Sequence, residues 1–279
     1  MKHIKLLYLF LLISWSSLPL QAADYLLQSP NGKLTVEIET KGQLSYTLKH
    51  NSQTLLDKSP IGLLLEDKIL GEDIKISRIK RNSSVKEHIV SPHYRLPSFE
   101  VTYNELNLKF KGNYGIIFRA YNEGIAYRFY TTMKGPLIIK DEMVQMNFPE
   151  DYPTFMSYST MPTGEDQYAM AFQNLYTKSS IKGVDTNNIA FLPITIDCGN
   201  ELKMTLLESD LEDYPGMFIK GDGKNTSLQG TFAHYPSEIK NFPPRAMKRI
   251  TKRTDYIART TGERNYPWRI WAITEKDTV

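Results

Sequence analysis

One cysteine, Cys198, stands in a chain of 279 residues. A single thiol excludes an intrachain disulfide and a thiolate metal cage, so stability has to come from a packed core. Charge of one sign is lacking too: the formal net charge of +3 falls to +1 once Lys2 and Lys5 of the leader are discounted. That leaves no global field to attract nucleic acid or an anionic membrane, and points to a neutral partner. There is no internal repeat, no low-complexity tract, no glycine-rich phosphate loop and no G-x-S-x-G elbow. The apolar runs are too short and too evenly punctuated for a helical bundle.

Residues 1–22, MKHIKLLYLFLLISWSSLPLQA, read as a secretory signal peptide, with Lys2 and Lys5 ahead of an apolar centre at Leu6–Ile13 and a small-residue cleavage site at Leu20-Gln21-Ala22. Ser14, Ser16 and Ser17 break that centre well short of the roughly 20 residues a membrane span needs. No cysteine near the cleavage site marks a lipid anchor. The expectation is an exported, periplasmic protein free of the membrane, with residues 23–279 as one large domain.

What the sequence has is alternation. Gly115–Tyr130, GIIFRAYNEGIAYRFY, is a β-hairpin in sixteen residues: Ile116, Phe118 and Ala120 alternate with Ile117, Arg119 and Tyr121, and Ile125, Tyr127 and Phe129 with Ala126, Arg128 and Tyr130. Asn122-Glu123-Gly124 reads as a three-residue loop closed by a left-handed glycine. Around this hairpin, strands are predicted over Thr35–Thr40, Leu44–Lys49, Tyr103–Lys111, Leu137–Phe148, Ile189–Asp197, Leu202–Glu208 and Tyr266–Ile273, with turns at Ser29-Pro30-Asn31-Gly32, Lys41-Gly42-Gln43 and Gly199-Asn200. Residues 81–95 read as loop or edge strand. Residues 154–188 are aromatic and polar with weak periodicity, a long irregular segment that is either functional or a cover over a sheet. The fold class is all-β, a large antiparallel sandwich.

Candidate chemistry is sparse. His88 and His93 are two histidines five apart with no third ligand pattern, which reads as a polar loop rather than a metal site. Glu208, Asp210, Glu212 and Asp213 crowd around the end of a strand before Tyr214-Pro215-Gly216; they suit oxygen ligation of calcium or a solvated acidic loop, and do not have EF-hand spacing. Lys248, Arg249, Lys252 and Arg253 lack the aromatic interleaving of a nucleic-acid platform and read as an exposed face.

Four segments in this order, SPNGKLTVEI at 29–38, FRAYNEGIAYRF at 118–129, LLESDLEDYPGMF at 206–218 and YPWRIWAITEKDT at 266–278, resemble the N-terminal domain of glycoside hydrolase family 97, bacterial α-glucosidases and α-galactosidases. The resemblance implies a β-super-sandwich of galactose-mutarotase-like shape, packed against a catalytic (β/α)₈ barrel that holds the acid and the base or nucleophile. Val279 stands where that barrel would begin, so the expectation is a truncated or split part of an exported α-glycosidase for α-linked oligosaccharides, with no catalytic residue in this chain. It also implies one calcium ligand from the sandwich. The alignment through Phe172-Gln173-Asn174-Leu175-Tyr176-Thr177 sets Gln173 at a position where the family has glutamate, with Glu165 or Glu208 as alternatives, and an uncharged amide there binds calcium more weakly. Tyr168, Phe172, Tyr176 and Trp268 are candidates for the docking face, with the core as the favoured place for Trp268. Two other readings stand beside this one: a free-standing carbohydrate-binding module, and a mutarotase-like sugar epimerase, for which His50, His88, His93 and His234 show no pairing in sequence with a carboxylate.

Overall fold

The computed structural model describes residues 24–91, 95–159, 166–169, 173–223, 225–243 and 247–276. Strands β1 (Tyr25–Gln28), β2 (Leu34–Glu39), β3 (Ser45–His50) and the first half of β4 (Gln53–Leu65) form the opening meander. Gly32 and Gly42 have positive φ in the two predicted turns of this meander, as does Gly199 in the predicted turn at Gly199-Asn200. After the short β5 (Ile69–Leu70), β6 (Ile76–Val90) and β7 (Ser98–Phe110) make a long antiparallel ribbon. The edge-strand reading of residues 81–95 therefore holds as far as Val90. Arg78, Lys80 and Lys86 lie exposed along β6, charges that discourage another strand from adding to it.

The hairpin is present as β8 (Tyr114–Tyr121) and the start of β9 (Gly124–Asn147), with one correction. Its loop has two residues, Asn122 and Glu123; Gly124 pairs with Tyr121 and its φ is not positive. Glycine is needed there because a Cβ would strike the Trp271 carbonyl of the neighbouring strand.

Strand β9 continues without a break through the predicted 137–148 strand, and the rest of the domain is hung on it. β10 (Pro153–Tyr158) and β11 (Thr177–Ser180) bring order to part of the segment that read as irregular. There follow β12 (Ala190–Asp197), β13 (Lys203–Ser209), β14 (Met217–Gly221), β15 (Ser227–Phe232), β16 (Pro236–Phe242), β17 (Met247–Arg253), β18 (Ala258–Asn265) and β19 (Trp268–Thr274). Antiparallel ladders run from the start of β9 to β19, then to β13, β12, β14 and β15, and from β15 back to the end of β9 at Gln145–Asn147. Six strands thus close a ring, which removes their open edges. Among the described residues β16 and β17 alone form a separate sheet, a two-stranded arm.

The opening meander packs over the hairpin to make a sandwich. Tyr46 of β3 meets Phe118 and Tyr127 with ring centroids 6.1 and 5.5 Å apart, and Trp271 donates its indole N–H to the Tyr46 hydroxyl at 3.1 Å. Burial of Ile116, Phe118, Ala120, Ile125, Tyr127 and Phe129 follows the predicted alternation. Cys198 is buried within the same core, its thiol pushed up to about 12 by loss of water, so it is held in the unreactive neutral form.

Candidate functional site

Two charged groups stand at inward positions of the ring. On β9, Glu142 is in phase with Val144, Met146 and Phe148, all buried; on β19, Arg269 is in phase with Trp271 and Ile273. A buried charge must find a partner, and these find each other. Arg269 Nε and Nη2 donate to the two oxygens of Glu142 at 2.8 and 2.7 Å, and Nη1 donates to Glu208 at 2.5 Å. The Tyr214 hydroxyl donates to Glu142 at 3.0 Å, the Met217 amide donates to Glu208, and Phe232 lies under the guanidinium at 5.1 Å. Burial works against the charge on Arg269, yet the Glu142 and Glu208 carboxylates outweigh it and hold the group protonated. Burial likewise raises Glu208 above the ordinary carboxylate range, against the pull of Arg269. Five of the six ring strands contribute to this centre. Its two carboxylates flank a guanidinium, not a space a sugar could enter.

An open cleft of about 560 Å³ lies outside the ring, between the 166–169 turn, strands β14 and β15, and the root of the β16–β17 arm. Arg253 anchors the arm: its Nε and Nη2 donate to Asp166 at 3.0 and 2.7 Å, and its Nη1 to the His234 carbonyl at 2.5 Å. Tyr168, carried by the turn, shares a hydrogen bond of 2.8 Å with Thr231 and packs edge-on against Phe218. Asp141, the residue before Glu142, has the opposite side-chain direction, as alternation along a strand requires, and opens on the cleft. It stays solvent-accessible, but the walls remove enough water to raise its carboxyl above the usual range. Nδ1 of His234 donates to the Thr254 carbonyl at 2.9 Å, leaving Nε2 without a partner among the described residues.

The sequence candidates fare unevenly. Glu208 is drawn into the Arg269 centre, Asp210 pairs with Arg128 at 3.1 Å, and Arg264 donates to the Glu212 carbonyl. Gln173 is exposed and adjoins Asn174, whose side-chain amide donates to the Tyr158 carbonyl at 2.5 Å. His88 lies exposed on β6, while His93, Glu165 and Phe172 fall outside the described residues. Among the described residues no three His, Cys, Asp or Glu side chains gather into a group fit for a metal, and no helix is long and apolar enough to cross a membrane. Tyr176 is exposed, with its hydroxyl donating to the Pro193 carbonyl. Trp268, expected in the core, is half-buried on the outer face, with the guanidinium groups of Arg119 and Arg128 over its ring at 4.9 and 4.8 Å. Outward alternation of Arg119, Arg128 and Trp268 on adjacent strands explains the departure. Of the basic group, Lys248, Arg249 and Lys252 are exposed on β17 and Arg253 is not.

Sequence reasoning missed Asp141, Lys220 and the partnership of His234 with this cleft. It also missed the Arg269 centre, for which a signal was present: a glutamate and an arginine, each at an inward position of an otherwise apolar strand.

Residues 27–279 match the family described as glycosyl-hydrolase 97 N-terminal. The chain belongs to that family. Over 281 aligned residues this family-97 domain is 34% identical to a retaining α-galactosidase of Bacteroides thetaiotaomicron, a match that takes in 98% of the chain and 42% of that enzyme. The chain therefore spans about two fifths of that relative's length. In fold the domain is similar to a family 97 enzyme of Pseudoalteromonas sp. strain K8 in complex with acarbose, with a TM-score of 0.71 and 17% identity over 90% of this chain and 36% of the other. A β-arabinopyranosidase is similar as well, with a TM-score of 0.74 and 17% identity over 91% and 40% of the two chains. At that identity the likeness concerns the fold, and it agrees with the all-β sandwich expected from the sequence.

Proposed function

We propose that this chain is the N-terminal, non-catalytic part of an exported α-glycosidase that hydrolyses α-linked oligosaccharides, and that it forms one wall of the sugar site of a catalytic (β/α)₈ barrel. The observation that carries the reading is the alignment of nearly the whole chain with two fifths of a retaining α-galactosidase. Export to the periplasm is supported by the signal-like residues 1–22, and a neutral partner by the balanced charge of the remainder.

Hydrolysis with retention needs two carboxyl groups about 5–5.5 Å apart on either side of the glycosidic bond. In this chain Glu142 and Glu208 are committed to Arg269, so on this reading both catalytic carboxyls belong to the barrel. Calcium fits this domain poorly by itself. The ion takes about 6–8 oxygen ligands; Glu208 spends its carboxylate on Arg269 and the Met217 amide, and Gln173 offers a single exposed amide oxygen. At most, then, Gln173 lends one neutral ligand to a site completed elsewhere, and no step of the reaction is derived through the ion.

The test is reconstitution. The purified chain, alone and co-expressed with the barrel region of the B. thetaiotaomicron relative, is assayed on aryl α-galactosides and α-glucosides. Release of sugar by the mixture and none by either part supports the reading; release by this chain alone sinks it. A free-standing carbohydrate-binding module remains the second reading, favoured by the uncommitted polar groups of the cleft.

A further inference from the structure

The cleft beside the arm is built in a way that stability does not explain. The Asp166–Arg253 pair and the Tyr168–Thr231 hydrogen bond hold its walls in place. Within those walls three polar groups are left with capacity to spare. Asp141 accepts one hydrogen bond, from the neighbouring Glu142 amide, on one of its two oxygens. The ammonium of Lys220 has no ion-pair partner within 4 Å and no hydrogen bond among the described residues, although its charge reaches Asp185 beside the cleft. Nε2 of His234 has no hydrogen-bond partner among the described residues and can accept once Nδ1 has donated to Thr254. Tyr168 and Ile250 supply apolar wall.

A ligand for such a site needs both donors and acceptors along its edge and an apolar face. An anion would be repelled by Asp141 and a cation by Lys220, since Asp166 pairs with Arg253 at 2.7 Å and Lys252 with Glu238 at 3.1 Å. A pyranose has the required character: its hydroxyls donate to a carboxylate and an imidazole nitrogen and accept from an ammonium, while its C–H face lies on apolar side chains. The volume, about 560 Å³, is in the range of small-ligand sites.

We propose that this cleft binds a neutral pyranose unit of an oligosaccharide, with Asp141, Lys220 and His234 Nε2 reading its hydroxyls and Tyr168 and Ile250 covering its apolar face. The choice of a sugar over another polyol rests on the glycosidase reading above; the site itself rests on the residues.

The experiment is titration of the purified chain with methyl α-galactopyranoside, methyl α-glucopyranoside and panose, followed by saturation-transfer NMR, with inorganic phosphate as the charged control. Saturable binding of at least one sugar is expected, with Kd on the order of 0.1–10 mM. It should weaken by about tenfold or more in Asp141→Asn and in Lys220→Met, variants checked for unchanged circular dichroism. Trp268→Ala, on the far-side arginine ladder, should bind as the parent does. No saturable binding of any sugar overturns the proposal, as does binding indifferent to both cleft variants, or phosphate binding tighter than the sugars. Reconstituted hydrolysis is read separately. Activity in the combined protein without sugar binding by this chain removes the subsite and leaves the glycosidase reading standing. Sugar binding without reconstituted activity does the reverse.

Discussion

The closed ring and the β16–β17 arm are both antiparallel β-structure, yet they are held by different forces. In the ring every strand has two laddered neighbours, and its interior packs around Arg269, Glu142 and Glu208. The arm is laddered only to itself, leaves Ile239, Phe242 and Met247 exposed, and is tied down at its root by Arg253. An isolated two-stranded hairpin is marginal in water. The contrast teaches that one part of the domain serves as frame, and that the candidate site is built where a weakly held element leans on that frame.

The largest effect that separates the two regions is expected at the ring centre. Arg269→Met leaves two carboxylates buried without their cation and should destabilise the domain by about 3–5 kcal/mol in urea unfolding. Replacing all three charges together, Glu142→Leu, Arg269→Met and Glu208→Leu, should recover most of that loss, because it is the unpaired charge that costs. A loss below about 1 kcal/mol for Arg269→Met alone would erase the distinction between frame and arm.

Acidity offers a second separation, by sign. Burial raises Glu208 in the folded state, so that state binds the proton more tightly than the unfolded chain does. Its contribution to stability therefore falls as pH rises from below 4.5 through its folded value. Asp185, near the cleft, behaves oppositely: burial pushes it up, but hydrogen bonds from Asn187 and Asn188 outweigh burial and lower it below 3.8. Its contribution is present above 3.8 and is lost as pH falls through its folded value. Comparing pH–stability curves of the parent with those of Glu208→Gln and Asp185→Asn should give differences of opposite slope. Matching slopes would refute the assignment.

Loosening the arm should matter less to the whole. Arg253→Ala is expected to lower global stability by about 1 kcal/mol or less, while amide exchange in β16 and β17 speeds up and that of β9 and β19 does not change. Equal acceleration in both regions would mean that arm and frame unfold as one. Smallest of all is Lys33→Ala, which breaks an exposed pair with Glu275 at 2.9 Å and should shift stability by under about 0.5 kcal/mol.

Much of the frame was legible beforehand, because alternation is a local property. Ile116 to Phe129 announce a hairpin through neighbours two residues apart, and Gly32 and Gly42 mark turns through their own backbone freedom. Where sterics across strands intervene, the local signal misleads: Gly124 reads as a loop residue but is required by the closeness of Trp271, and Trp268 reads as core but lies outward among arginines. The candidate site was harder to see. Asp141 and His234 are 93 positions apart in the numbering, on different strands and loops, and no spacing rule joins them.

By itself, then, the sequence determined an all-β chain with a signal-like leader, a meander, a central hairpin and a last strand rich in tryptophan, and it carried the resemblance to its family. Only the tertiary structure decided that β9 closes a ring, that Arg269 meets Glu142 across 127 residues, and that the arm roofs a cleft over Asp141. The physical reason is range. A strand is written in the side chains that alternate along it, whereas a buried charge or a cleft depends on which strands the packed core brings together.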